Sequence, residues 1–189
     1  MDASVIRHSQ GEEGTSILEV VIASAILVTL MAGLMSLVGL AISTTENQGH
    51  LAARTTEYAQ DKMEQLLALT YGDASSDTRT FPAAISGGSG LTPGGSSNTS
   101  TPVALYVDYL DQNGNLCGTT GAACTAPVGT TPPAGWFYQR VWQIDDNGTH
   151  PTELPANLKR ITVTSTIARG FGGAMKASST LTVLKSNPF

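Results

Sequence analysis

From Val20 to Thr45 the chain carries no Asp, Glu, Lys or Arg, and this stretch, VVIASAILVTLMAGLMSLVGLAISTT, limits the available folds more than any other feature. As a helix it would rise about 39 Å, more than the ~30 Å hydrocarbon core of a bilayer. Apolar residues lie on every side of it instead of along one stripe, which argues against a surface helix of a water-soluble fold. A cleavable secretory signal has an apolar region of roughly 7 to 15 residues ending in a small-x-small site, so the run is too long for one. The expectation is a membrane-spanning helix. Its orientation cannot be read from the flanking charge, because Arg7 precedes the run and Arg54 and Lys62 follow it.

The rest of the composition narrows the function. The chain has 189 residues, enough for one domain to one and a half, and a net charge of −5 from 10 basic and 15 acidic residues. That balance gives no chain-wide positive field for a nucleic-acid backbone. No nucleophile is paired with a histidine and an acid, no G-x-S-x-G run occurs, and His8, His50 and His150 are scattered. The chain is therefore expected not to be an enzyme and to need no cofactor.

Glu19 is the informative residue, because it stands at the start of the oily run. A lone carboxylate among lipid tails costs a few kcal/mol on insertion scales, so it needs neutralising or a fixed positive partner. No lysine is near. Cleavage between Gly14 and Thr15 would supply the partner as a new α-amine, whose reference pKa is about 7.7 to 8. The amine lies about 6 Å along the axis of the same helix, so a pair between staggered helices is also within reach.

The residues Gly14-Thr15-Ser16-Ile17-Leu18-Glu19-Val20-Val21-Ile22-Ala23 resemble the cleavage and assembly motif of type IV prepilins. The resemblance implies that residues 1–14 are a leader removed by a prepilin peptidase between Gly14 and Thr15. It also implies that Thr15 becomes N-methylated and that Glu19 directs assembly. The expected location is the inner membrane, single-pass, with the head in the periplasm and later in a cell-surface filament.

Beyond the transmembrane and assembly helix of residues 15–45, residues 46–72 continue as an amphipathic stem. Ala52, Ala59, Met63, Leu66 and Thr70 fall at helical three-and-four spacing. No proline interrupts Thr15 to Tyr71, Gly33, Gly39 and Gly49 are weak points, and Gly72 with Asp73 is the expected stop. Residues 73–102, rich in Gly and Ser, read as a flexible loop with too little apolar area to offset the entropy of ordering it. Residues 103–189 read as a β head with strands at Val103 to Leu110, Trp136 to Ile144, Leu158 to Ala168 and Ala177 to Lys185. Val103, Leu105, Val107 and Tyr109 would share one face, as would Ile161, Val163 and Ile167, and Ala177, Leu181 and Val183. The expected fold class is α+β: a long N-terminal helix packed on a four-stranded antiparallel sheet. The strand pattern RVWQID, LKRITVTSTIAR and STLTVLK resembles the C-terminal part of minor pilins of the pilus modification type and of a type II secretion pseudopilin.

Cys117 and Cys124 flank GTTGAA and are expected to form a local disulfide. A metal site is the alternative, but it lacks nearby histidines. Asp108, Asp111, Asn113 and Asn115 place oxygen side chains around Gly114. Calcium is conceivable there, yet the bidentate glutamate of a complete calcium loop is missing and Asn-Gly is first a turn former. Trp136, Phe137, Tyr138 and Trp142 are expected in the core, with a partner-binding patch as the rival. Lys159, Arg160, Arg169, Lys176 and Lys185 form a local basic excess that makes DNA contact conceivable, while Gly170, Gly172 and Gly173 read as a hairpin turn. The functional expectation is a structural minor pilin of a type IV pilus. The alternatives are a type II secretion pseudopilin or an anchored ligand- or DNA-binding pilin. The implied partners are the prepilin peptidase, other pilins or pseudopilins and the membrane.

Overall fold

The computed structural model describes residues 16–118, 124, 129–168 and 176–187. The chain divides into two compact units, Met1–Thr44 and Thr45–Phe189, and one helix, α1 (Ile17–Ala68), runs through both. Its first turn begins on the Ser16 carbonyl, which accepts from the Glu19 and Val20 N–H groups at 2.9 and 3.2 Å. The helix continues through Gly33, Gly39 and Gly49. Each exposed Gly lowers helix propensity by only about 1 kcal/mol and does not break the helix.

The second unit holds the sheet. Strands β1 (Gly94–Gly95), β2 (Val107–Leu110), β3 (Tyr138–Asp145), β4 (Leu158–Ile167) and β5 (Ser178–Ser186) form one antiparallel sheet in the order β1, β3, β4, β5, with β2 also pairing β3. Tyr138 sits opposite Ile167 and Ile161 opposite Val183. Ala59, Met63 and Leu66 of α1 close over Trp142, Ile144, Ile161 and Val163, with Leu181 and Val183 at the margin. A second cluster joins Tyr58 to Leu110, Tyr138 and Ile167. The arrangement is the expected α+β, pilin-like one, with a long N-terminal helix packed on an antiparallel sheet.

Contacts along α1 show how the helix lies on the sheet. Thr56 bonds Ser179 near the start of β5, and Lys185 near its end reaches the Leu67 carbonyl. The helix therefore runs along the strands, in the direction of β3 and β5 and against β4. Its buried positions, Thr55, Tyr58, Ala59, Lys62, Met63 and Leu66, follow the three-and-four spacing of one face. Ala59, Met63 and Leu66 are as expected. Ala52 and Thr70 are exposed.

Four details differ from the sequence reading. The helix stops at Ala68 instead of Tyr71, and Lys185 of the sheet takes up the Leu67 carbonyl in its last turn. A fifth strand appears at Gly94–Gly95, inside the stretch read as a loop. Gly95 has φ +84, and a Cβ there would collide with the Trp142 carbonyl and the Tyr106 ring, so only glycine lets the chain pass so close to β3. The stretch is also tied down by Leu91, which is fully buried and whose N–H bonds the Asp73 carbonyl at 2.8 Å. Finally, β2 is shorter than expected: Leu105 has φ 70 and, with Val103, is exposed. Val107 and Tyr109 do share a face, but it is the face away from the helix, where they pack on Val141, Trp136 and Cys117. Tyr106, Asp108 and Leu110 take the helix side, since side chains alternate along a strand.

Candidate functional site

The first half of α1 is uncovered. Every Ile, Leu, Val and Met from Ile17 to Ile42 is exposed, and the helix contains a window with mean hydropathy of 2.4. Soluble proteins rarely expose apolar surface on this scale, so the segment needs lipid or another apolar surface around it. Its hydroxyls are already satisfied for such a setting. Ser24 donates to the Val21 carbonyl at 2.9 Å, Thr29 to Ile26 at 2.8 Å, Ser36 to Ala32 at 3.1 Å and Ser43 to Leu40 at 3.0 Å. Each bond removes a polar group from the demands of a hydrocarbon environment. One helix of this length and composition suits a single membrane anchor or a signal sequence. Glu19 lies in its first turn and is exposed. Gly14 and Thr15, the expected cleavage and methylation positions, lie outside the described residues, as do the leader, His8, Arg169 and the Gly170, Gly172 and Gly173 turn.

The second half is held to the head by buried charge, which the sequence reading did not anticipate. Lys62 is fully buried, and its ammonium lies 2.6 Å from Asp108 Oδ2, donates to the Thr78 carbonyl and sits 4.3 Å from the Trp142 ring centroid. Arg140 is 1% exposed and grips the same carboxylate with two nitrogens, Nε at 2.7 Å from Oδ1 and Nη2 at 2.9 Å from Oδ2. Its Nη1 donates to Asp61 Oδ2 at 2.8 Å on the helix. Helix, β2 and β3 are therefore joined through one carboxylate, and the Lys62 ammonium adds the loop at Thr78.

The titration of these groups follows from the geometry. Burial pushes Asp108 up, but Arg140 and Lys62 outweigh it and hold the carboxyl below its usual range. Burial pushes Lys62 down, Asp108 pulls it back and Arg140 pushes it down again, leaving it at about 8. Asp108 favours Arg140 because the guanidinium meets both its oxygens. Lys62 beside the apolar stripe of the helix, Asp108 in β2 and Arg140 in the aromatic strand β3 each read singly as a surface charge, and only the docked sheet brings them together.

Two more lysines close the end of α1. The helix has no basic residue in its last turn, yet Lys185 donates to the Leu67 carbonyl and Lys159 to the carbonyls of Tyr71 at 2.8 Å and Leu91 at 2.9 Å. Cations at a helix C-terminus satisfy orphan carbonyls and complement the helix dipole. Lys159 and Lys185 face each other across β4 and β5, and burial lowers both. Arg160 is paired with Asp145 at 3.0 Å and with Glu153 at 2.8 Å. Of the basic residues expected to form a surface patch, these three thus have internal partners.

No protein-family profile, no curated protein and no solved structure matches the chain.

The remaining expectations divide cleanly. Cys117 and Cys124 form the expected disulfide, and Cys124 is buried. The bridge holds the segment in which the Cys117 N–H bonds the Tyr109 carbonyl at 2.8 Å along the outer edge of β2. The oxygens considered for calcium are not gathered into one shell. Asp108 is gripped by its two cations, while Asp111 Oδ1 accepts from the Asn113 and Asn115 N–H groups at 2.8 and 2.9 Å and Oδ2 from the Asn115 amide at 3.0 Å. Asp111 to Asn115 is thus a side-chain-braced turn, with Gly114 at φ +87 where a Cβ would press on Tyr58. The aromatic run splits: Tyr138 and Trp142 are core, with Tyr138 edge-on to Tyr58 at 4.7 Å, whereas Trp136 and Phe137 are half-buried. His150 Nε2 lies 3.3 Å from Asp145 Oδ1, and His50 stands on α1.

Proposed function

We propose that the chain is a structural subunit of a type IV filament, a prepilin-like minor pilin whose N-terminal helix is both membrane anchor and assembly element. The supporting observation is the contrast within α1: an apolar half exposed on all sides with Glu19 in its first turn, continuing into a half latched to a sheet. A helix built to be surrounded by other apolar helices while carrying a head fits a filament core. In this reading a prepilin peptidase cuts between Gly14 and Thr15 on the cytoplasmic side, Thr15 is N-methylated, and the head lies in the periplasm before assembly. Glu19 selects register, since an acid and an amine left unpaired in an apolar bundle cost more than a stagger that pairs them. The same anchor would serve a type II secretion pseudopilin. Lys159, Arg160 and Lys185 already have internal partners, which leaves little motive for a DNA-binding reading.

The test is the N-terminus of the mature chain. Mass spectrometry should find Thr15 first and methylated, and Gly14→Val should retain the leader. Glu19→Ala should insert in the membrane yet fail to enter filaments. A functional native chain that still begins at Met1 would overturn the reading.

A further inference from the structure

A small polar pocket lies on α1 just beyond the uncharged run. It has a volume of about 210 Å³ and is lined by Asn47, His50, Leu51 and Arg54 of the helix, Gln112 of the turn after β2, and Phe137 and Tyr138 at the start of β3. The buried pairs of Lys62, Asp108 and Arg140 hold helix to sheet, so these walls are set before any ligand arrives.

The polar groups of the pocket suit an anion. Arg54 is cationic and gives one of its five N–H groups to Glu57 at 3.2 Å. His50 carries a ring N–H in either charge state, and Asn47 and Gln112 carry amide donors. Tyr138 is 4% exposed, yet its hydroxyl has no hydrogen-bond partner among the described residues and still reaches solvent. The Arg54 charge acts on that hydroxyl. A phenol buried to this degree normally finds a partner, so an unused donor beside a guanidinium points to a ligand oxygen. No acid is among the described residues that line the pocket. Of the acids nearby, Glu57 is held by Arg54, Asp111 by Asn113 and Asn115, and Glu46 stands one turn before His50.

Place along the chain says which anion. Asn47 and His50 follow Thr45, the last residue of the uncharged run, by two and five residues, about 3 and 7.5 Å of helical rise. A run longer than the ~30 Å hydrocarbon core is immersed by tilting, and each headgroup layer beyond that core is about 5–7 Å thick. The helical wall of the pocket therefore begins at headgroup depth. Trp136, half-buried, and Tyr138 are the aromatic types that favour that depth.

We propose that this pocket takes the phosphodiester of a phospholipid headgroup from the leaflet on the side of the head, with Arg54 and His50 on its anionic oxygens and Tyr138 donating to one of them. The site rests on α1 as a membrane anchor and goes beyond the filament reading, since it assigns nothing to filament entry.

The test uses the full-length chain in maltoside micelles, titrated with dioleoylphosphatidylglycerol and followed by native mass spectrometry. One retained lipid per chain is expected, whereas dioleoylglycerol, which lacks the phosphate, should not be retained. Arg54→Glu should cut retention about tenfold, as loss of a charge-assisted bond does. Lys176→Glu, an equal charge change at an exposed site outside the pocket, should leave retention unchanged. Tyr138→Phe keeps the ring and should weaken retention about fivefold, the worth of one net hydrogen bond, with tryptophan emission verifying the fold. Inorganic phosphate at equal concentration should not displace the lipid. Equal retention of the two lipids, indifference to Arg54→Glu or Tyr138→Phe, an equal loss in Lys176→Glu, or displacement by phosphate overturns the proposal. Glu19→Ala keeps the two ideas apart. That variant should lose filament entry and keep the lipid, while a wild-type chain that enters filaments but retains no lipid removes this site alone.

Discussion

The two halves of α1 share a backbone conformation and almost nothing else. Between Ile17 and Thr44 the side chains are exposed and, apart from Glu19, uncharged, and the hydroxyls bond back to their own helix. From Thr45 to Ala68 one stripe is buried, the other faces are polar, and the stripe itself contains a lysine. Helix propensity is similar in both, so what differs is what each half needs around it. The first half awaits a surrounding that only lipid or other helices provide. The second half already has its partner in the sheet, fixed by packing and by one shared carboxylate. Substitutions should therefore damage the head only when made in the second half or in the sheet residues that hold it.

The largest effect should come from Asp108→Ala. It leaves Lys62 and Arg140 buried with Asp61 as their remaining carboxylate, and breaking a buried pair from one side costs about 3–5 kcal/mol. Chemical unfolding of the detergent-solubilised chain, followed by tryptophan emission, measures this directly, because Trp142 packs against Lys62. Leu66→Ala, at a fully buried site among Trp142, Ile144 and Ile161, should follow at about 2–5 kcal/mol. If Asp108→Ala costs less than 1 kcal/mol, the latch does not hold the helix to the sheet.

Alkaline pH sharpens the comparison from the other side. Lys62 titrates at about 8 in the folded chain and at 10.5 in the unfolded one. Between these values the unfolded chain holds a proton that the folded chain lacks, so stability rises with pH there. Below pH 8 the burden of the buried charge is fully present. The gain is on the order of 3 kcal/mol at most, from about 1.36 kcal/mol per pKa unit. Lys159 and Lys185 act in the same direction, and Tyr58, Tyr109 and Tyr138, all raised, act oppositely above pH 10. The difference between the wild type and Lys62→Met isolates the lysine. Lys62→Met leaves Asp108 to Arg140 alone and should flatten the rise above pH 8. Asp108 gives the acid limb, since its depressed folded pKa adds stability above pH 3.8 that is lost as pH falls through the folded value.

Much of this architecture could be read from residue pattern. The uninterrupted helix, the Ala59, Met63 and Leu66 face and the four longer strands all follow from periodicity, because period 3.6 and period 2 survive in any sequence that must bury one side. The β2 face was misjudged because alternation separates two faces without saying which one meets the helix. Gly94 and Gly95 have no side chains to alternate and so gave no strand signal. The latch was invisible for a different reason. Lys62, Asp108 and Arg140 lie 46 and 32 positions apart along the chain and pair only after the sheet docks, so each alone looks like a surface charge. Seen together, three charges of both signs at core positions are the pattern that long-range pairing leaves in a sequence.

The smallest expected effect is the most pointed. Leu34→Ala removes as much apolar side chain as Leu66→Ala does, but Leu34 is 62% exposed whereas Leu66 is fully buried. Unfolding of the head in detergent should therefore shift by less than about 0.5 kcal/mol, as for surface sites that support no packing. The two leucines stand on one helix with the same backbone geometry, so helix propensity cannot separate them, and any difference must come from what surrounds each side chain. A head destabilised by 2 kcal/mol or more in Leu34→Ala would mean that the first half of α1 supports the head, and the division between an awaiting half and a partnered half would fail. A null effect on the head, joined to weakened recovery of the chain from membranes, would place the contribution of Leu34 in what surrounds the helix instead of within the fold of the head.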